Sequence, residues 1–240
     1  MAPPTLSAFA ICHLRRQQSG RKYNLPRMKE RVDAILRRNQ GEYLESLLPP
    51  RDALLEEMEK FADENNHPIA DPEVAQLMRT LVRMKRPRRI LEVGTNIGYS
   101  VVVLGRESDS ETVIETIEID HNTLTTAKRF VSEAQLPCRV VFHEGAALDV
   151  IPRLTGPFDY VFIDCVKTEY GDYLDALFPK LGRDAIIVCD NLLWKGQVAA
   201  GTHDGPTDAL RAFNKRISND PRLLTIILPL GDGTGISVVV

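Results

Sequence analysis

The chain has 240 residues, 43% of them hydrophobic and 26% charged, which suits one α/β domain with a substantial core. A net charge of −3 gives no global electrostatic case for nucleic acid, and no apolar run reaches the roughly 20 residues that span a bilayer. The four cysteines, Cys12, Cys138, Cys165 and Cys189, show no C-x-x-C spacing, so free thiols in a reducing cytoplasm are expected.

Residues 1–27 hold Arg15, Arg16, Arg21, Lys22 and Arg27 and no acidic side chain. We read them as a disordered basic extension, with an arginine-rich transit peptide or an RNA-contacting arm as alternatives. Met28 opens the first clear helical pattern and is a candidate start. Val32, Ile35, Leu36, Leu44, Leu47 and Leu48 keep helical spacing up to Pro49-Pro50, with Gly41 as a candidate break. A second helix is predicted from about Arg51, and a third behind Asp71-Pro72, read as an N-cap with proline at the first helical position. No long linker separates these helices from the first strand, so residues 28–240 are expected to form a single domain.

From residue 88 the pattern alternates. Strands are predicted at 89–93, 113–119, 139–143, 159–163, 185–189, 223–229 and 235–240. Helices are predicted near 98–107, 121–135, 146–153, 170–180 and 206–218. Alternation of this kind gives a mostly parallel sheet with helices on both faces. The last two strands are joined only by Gly231-Asp232-Gly233-Thr234-Gly235, which predicts an antiparallel hairpin at the end of a seven-stranded sheet. That layout resembles the Rossmann-like methyltransferases.

The first strand runs into a glycine turn, Glu92-Val93-Gly94-Thr95-Asn96-Ile97-Gly98. A nicotinamide site would show G-x-G-x-x-G, because its second glycine admits a pyrophosphate. Asn96 stands at that place, so the turn suits a ligand without phosphates, such as S-adenosylmethionine. The second strand ends in carboxylates where ribose hydroxyls need acceptors; Glu118 is the first choice and Asp120 the reserve. Gly145 and Ala146, after the third strand, would place backbone amides beside the adenine.

The fourth strand ends at Asp164 and the fifth at Asp190-Asn191, on the sheet edge where α/β proteins bind ligands. Two carboxylates and an amide oxygen form a hard donor set suited to Mg²⁺, with capping of the following helices as the alternative. Cys165 and Cys189 alternate with the acidic residues and should face the other way. Lys167, three residues after Asp164, is either a surface lysine or a base that takes a proton from an acceptor hydroxyl. Trp194 and Tyr170 are candidate aromatic pocket walls or core residues.

The stretches LEVGTNIGYS, IEID, FDYVFIDCVKTEY, DNLLWKGQVA and PLGDGTGISV together resemble the metal-dependent O-methyltransferase family that includes catechol and caffeoyl-coenzyme A O-methyltransferases. The resemblance covers roughly residues 51–240. It implies S-adenosylmethionine as methyl donor, Asp164, Asp190 and Asn191 as ligands of Mg²⁺ or another hard divalent cation, and Lys167 as general base. It further implies cofactor contacts from Glu92, Gly94, Tyr99, Ser100 and Glu118, with Ile69 and Ala70 in a segment folded over the cofactor and Asp164 on the same edge. Many relatives carry an aspartate where this chain has Ala146, which shifts adenine recognition toward backbone amides. The small residues usual after the metal aspartate are here Cys165 and Val166.

The segment EEMEKFADENNHPIADPEV resembles bacterial members that methylate 5-hydroxyuridine in tRNA. The acceptor expected is a catechol-like hydroxylated small molecule, with tRNA as the alternative. The resemblance implies a homodimer, while the cysteine usage points to the cytoplasm and the lack of a spanning apolar run to no membrane partner. A non-catalytic cofactor-binding protein is the alternative from another class.

Overall fold

The computed structural model describes residues 38–240. The basic extension expected over residues 1–27 lies outside them, as does the start of the helix expected from residue 28. By its contacts the chain divides between Tyr43 and Leu44, and Leu44–Val240 forms one compact unit.

Helix α1 spans Arg38–Ser46 and continues through Gly41, so the expected break there does not occur. Helix α2 spans Ala53–Asn65, and its N-cap Asp52 accepts from Leu55 N at 3.0 Å. Helix α3 spans Pro72–Lys85 with proline in its first turn. Asp71 stands at its N-cap position but makes no side-chain cap bond, contrary to the sequence reading. Its carboxylate lies against the turn at Gly231 instead, and burial, with Glu73, Asp232 and Asp164 nearby, raises its pKa.

Strand β1 (Arg89–Val93) leads to α4 (Tyr99–Arg106), β2 (Val113–Glu118), α5 (His121–Glu133), β3 (Arg139–Glu144) and the short α6 (Ala147–Val150). Then come β4 (Phe158–Ile163), α7 (Tyr170–Leu177), β5 (Leu181–Cys189), α8 (Gly205–Asn219), β6 (Leu223–Leu228) and β7 (Thr234–Val239). The sheet runs β3-β2-β1-β4-β5-β7-β6. Its first four pairings are parallel and the two made by β7 are antiparallel, as the glycine-rich hairpin predicts. Strand β5 begins four residues before the expected start. Leu181 pairs with Phe158, and the register then shifts before Tyr160 pairs with Ile186. The polar Gly182-Arg183-Asp184 sits in that irregularity, which hides the strand start from hydrophobic patterning.

Alternate strand residues feed two cores. Leu91, Val93, Val161, Ile163 and Ile187 pack on one face with Tyr170, Leu174 and Phe213 from helices α7 and α8. Ile90, Ile114, Tyr160, Phe162 and Val188 pack on the other with Met58, Val74, Met78 and Phe130 from α2, α3 and α5. Each fully buried aliphatic side chain contributes about 1.5–3 kcal/mol of transfer free energy. With both faces covered, the carboxyl ends of the parallel strands are left as the edge on which a site can form. Among the described residues, no helix is long and apolar enough to cross a membrane.

Candidate active site

The crossover order places β1 between β2 and β4, with β5 beyond β4, so the ends of these strands meet along one edge. Backbone amides stitch the ends together. Gly94 N and Thr95 N donate to Ile117 O at 3.1 and 3.0 Å. Asp164 N donates to Val93 O at 3.0 Å, and Asp190 N to Ile163 O at 3.1 Å. Gly94 has φ 104°, and a Cβ there would lie 2.2 Å from Asp164 O. Only glycine lets the first turn pass this close to the end of β4.

A cavity of about 600 Å³ opens on this edge. Ile69, Ala70, Gly94, Tyr99, Ser100, Asp164, Lys167 and Asn191 line it. Trp194 also lines it, whereas Tyr170 is fully buried in the core. Cys189 lies in the core beneath, and burial raises its thiol pKa well above the usual range. Cys165 reaches the cavity wall, a departure from strict alternation, and burial raises its pKa as well. Neither thiol is suited to act as a nucleophile.

Other expected site residues stand behind the wall. Glu92 is fully buried and does not line the cavity. It accepts from Ser100 Oγ, and its second oxygen accepts from Thr116 Oγ1 at 2.5 Å. Burial pushes its pKa up to about 8, against the lowering effect of those two hydroxyls. Glu92 therefore acts on the turn through Ser100 rather than by contact.

Glu118 also stands off the cavity. Its carboxylate accepts from Asn96 N at 2.8 Å and from Ile119 N and Asp120 N at 3.0 Å. Asp120, the reserve, is committed as the N-cap of α5, accepting from Thr123 N at 2.7 Å. Gly145 and Ala146 follow β3, with Gly145 N donating to Glu118 O at 2.9 Å; they do not line the cavity.

The chemical end is built by β4 and β5. Lys167 Nζ donates to Asp164 Oδ1 at 2.6 Å and to Tyr170 Oη at 3.0 Å. Tyr170 Oη faces the carbonyls of Ile163 and Asp190 at 3.3 and 3.1 Å, tying both strand ends to the lysine. Asp190 is almost wholly buried, behind the lining formed by Asn191. Its Oδ1 accepts from Asn191 N at 2.7 Å. Burial and the neighbouring Asp164 charge raise its pKa to about 7. Among the described residues no three His, Cys, Asp or Glu side chains cluster as a metal set.

The O-methyltransferase family model matches residues 49–239. The chain belongs to that family. The caffeoyl-CoA O-methyltransferase of Mesembryanthemum crystallinum is 30% identical over 172 residues, covering 66% of this chain and 67% of that one. The catechol O-methyltransferase of Niastella koreensis is 28% identical over 199 residues, covering 78% and 90%. The O-methyltransferase from Bacillus cereus in complex with SAH superposes with a TM-score of 0.76 at 28% identity, covering 83% of this chain and 96% of that one. This chain is thus an S-adenosylmethionine-dependent O-methyltransferase of the caffeoyl-coenzyme A and catechol type.

Two residues of this methyltransferase carry more than their sequence signal suggested. Tyr170 follows Lys167 by three residues, one helical turn, and that spacing was the available signal for a contact. Asn96 was legible only as a missing glycine. It adopts φ 47°, which asparagine tolerates, and its side chain reaches His67 and Pro68. Nothing in the sequence spacing announces those contacts.

Proposed function

We propose that the protein transfers the methyl group of S-adenosylmethionine to a hydroxyl oxygen of a catechol-like small molecule, with a hard divalent cation at Asp164, Asp190 and Asn191. The observation that carries this reading is Lys167 Nζ, seated 2.6 Å from Asp164 Oδ1 on the wall of a cavity that also exposes Asn191. The donor set fits a hard cation. Asp190 is a buried carboxylate whose ionised form is disfavoured both by burial and by Asp164, and a bound cation would relieve that penalty. Two carboxylates and an amide oxygen leave further positions for water and substrate oxygens, as Mg²⁺ requires. When bound, the cation supplies Lewis acidity toward the acceptor hydroxyl.

The chain's own residues divide the remaining work. Gly94, Tyr99 and Ser100, with Ile69 and Ala70 opposite, form the wall that receives the methyl donor. Glu118 stands behind this wall and steadies it by accepting from Asn96 N at 2.8 Å. Trp194 and Val166 wall the acceptor side. Lys167 takes the acceptor hydroxyl proton at Nζ, while Tyr170 and Asp164 hold that nitrogen in place. The acceptor oxygen then attacks the methyl carbon as the bond to sulfur breaks, and holding both reactants in line supplies much of the acceleration.

The test is transfer of labelled methyl from S-adenosylmethionine to a panel of catechols and to undermodified tRNA. Label in the catechols supports the reading. Label in tRNA alone replaces the acceptor, and label in neither removes the acceptor class.

A further inference from the structure

The segment that roofs the donor side of the cavity is tied to the cofactor turn by side chains. Asn66, at φ 55°, ends α2, and His67 N donates to Ala62 O at 2.9 Å. At the other end Ala70 is buried against the core and α3 begins at Pro72. Between these anchors Pro68, Ile69 and Ala70 make no backbone–backbone hydrogen bond among the described residues. The polar tether there is Asn96, from the turn after β1. Its Nδ2 donates to Pro68 O, and its Oδ1 lies 2.9 Å from His67 Nδ1.

The chemistry fixes the direction of both bonds. A carbonyl can only accept, so the amide nitrogen of Asn96 must face Pro68 and the amide oxygen must face His67. His67 Nδ1 therefore carries a proton, in the neutral Nδ1–H tautomer or in the imidazolium alike. The ring itself is held by stacking on Phe61, at 5.9 Å between centroids and 19° between planes. Phe61 in turn packs edge-on against the fully buried Phe130 at 5.5 Å. On the turn side, Asn96 N is anchored to Glu118 Oε2 at 2.8 Å. One residue thus links the roof, the first turn and the end of β2.

We propose that Asn96 and His67 form a strap that holds Pro68–Ala70 over the cavity and sets the affinity for the methyl donor. Both are positioning residues. The inference rests on the reading of this side of the cavity as the S-adenosylmethionine site. With the strap made, Ile69 and Ala70 stand ready against the donor, so binding does not have to order them. Without it, the roof is a short tether between two helix ends, free to open.

Calorimetric titration of S-adenosylmethionine into wild type, Asn96→Ala, His67→Ala and the double variant tests this, with hydrogen exchange at Ile69–Asp71 read in the ligand-free proteins. Each single variant should weaken binding about tenfold, the scale of one to two neutral hydrogen bonds. The double variant should lose no more than the weaker-binding single, because both substitutions break one strap. His67→Gln, which keeps a donor, should recover most of the affinity. Exchange at Ile69–Asp71 should accelerate in all three alanine variants, with the KM for the acceptor unchanged. Additive losses, or affinities within about twofold of wild type with unchanged exchange, would overturn the strap. Failure of the wild-type protein to bind S-adenosylmethionine would instead overturn the donor reading, while the exchange data still judge the strap.

Discussion

Replacing Glu92 by glutamine should stabilise the ligand-free protein at mildly alkaline pH while leaving its stability in mild acid nearly unchanged. Glu92 is fully buried beneath the first turn, and its pKa rises from an ordinary 4.5 to about 8. The folded chain therefore holds a proton that the unfolded chain has released, so stability falls as pH rises through the window from 4.5 to about 8. Each pKa unit corresponds to about 1.4 kcal/mol, which makes the penalty at neutral pH about 3 kcal/mol and at pH near 5 under about 1 kcal/mol. Glutamine carries no ionisation and fills nearly the same volume. Its amide nitrogen requires Ser100 or Thr116 to turn its hydroxyl and accept, an adjustment of about 1 kcal/mol. The net gain near pH 8 is thus about 2 kcal/mol or more. Urea unfolding of both proteins near pH 5 and near pH 8 measures it. A difference between wild type and Glu92→Gln that is the same at both pH values would refute the reasoning, because it would show that Glu92 does not change protonation on folding.

The chemical end gives three further tests. Lys167→Ala should lower kcat/KM for the acceptor by about 10²–10⁴ and flatten its pH profile, and Lys167→Arg should not rescue it, since a guanidinium does not release its proton. Asp190→Asn should raise the metal-free stability near pH 8, by removing a buried carboxylate whose charge is disfavoured, and abolish Mg²⁺ binding by calorimetry. Gly94→Ala should destabilise the fold by at least about 3 kcal/mol in thermal unfolding, because its Cβ would meet Asp164 O at 2.2 Å in a backbone held at φ 104°.

The sheet was legible because hydrophobic periodicity and glycine turns are local. Strand β1 and the antiparallel end fall where the pattern puts them, and adjacency of β4 and β5 brings Asp164 and Asn191 to one wall. What periodicity leaves open is which side of the edge a polar residue serves. Glu92 pairs with Thr116 in register and points into the layer that carries α4, where Ser100 meets it, so a carboxylate expected in the cavity stands beneath it. Glu118 spends its oxygens on backbone amides of its own turn and of Asn96. The contact of Asn96 with His67 joins residues 29 apart in sequence, and the packing of α2 and α3 on the sheet brings them together. Asp71 carries the composition of a helix cap, yet tertiary packing at Gly231 takes its carboxylate elsewhere.

The most direct measurement is methyl transfer from labelled S-adenosylmethionine to a catechol, run with Mg²⁺, after removal of metal by a chelator, and after Mg²⁺ is restored. Metal ligation by Asp164, Asp190 and Asn191, with Lys167 as base, predicts transfer to oxygen that stops with chelation and returns with the metal. Transfer that continues undiminished in the chelated protein would contradict the assignment of the two carboxylates and the amide.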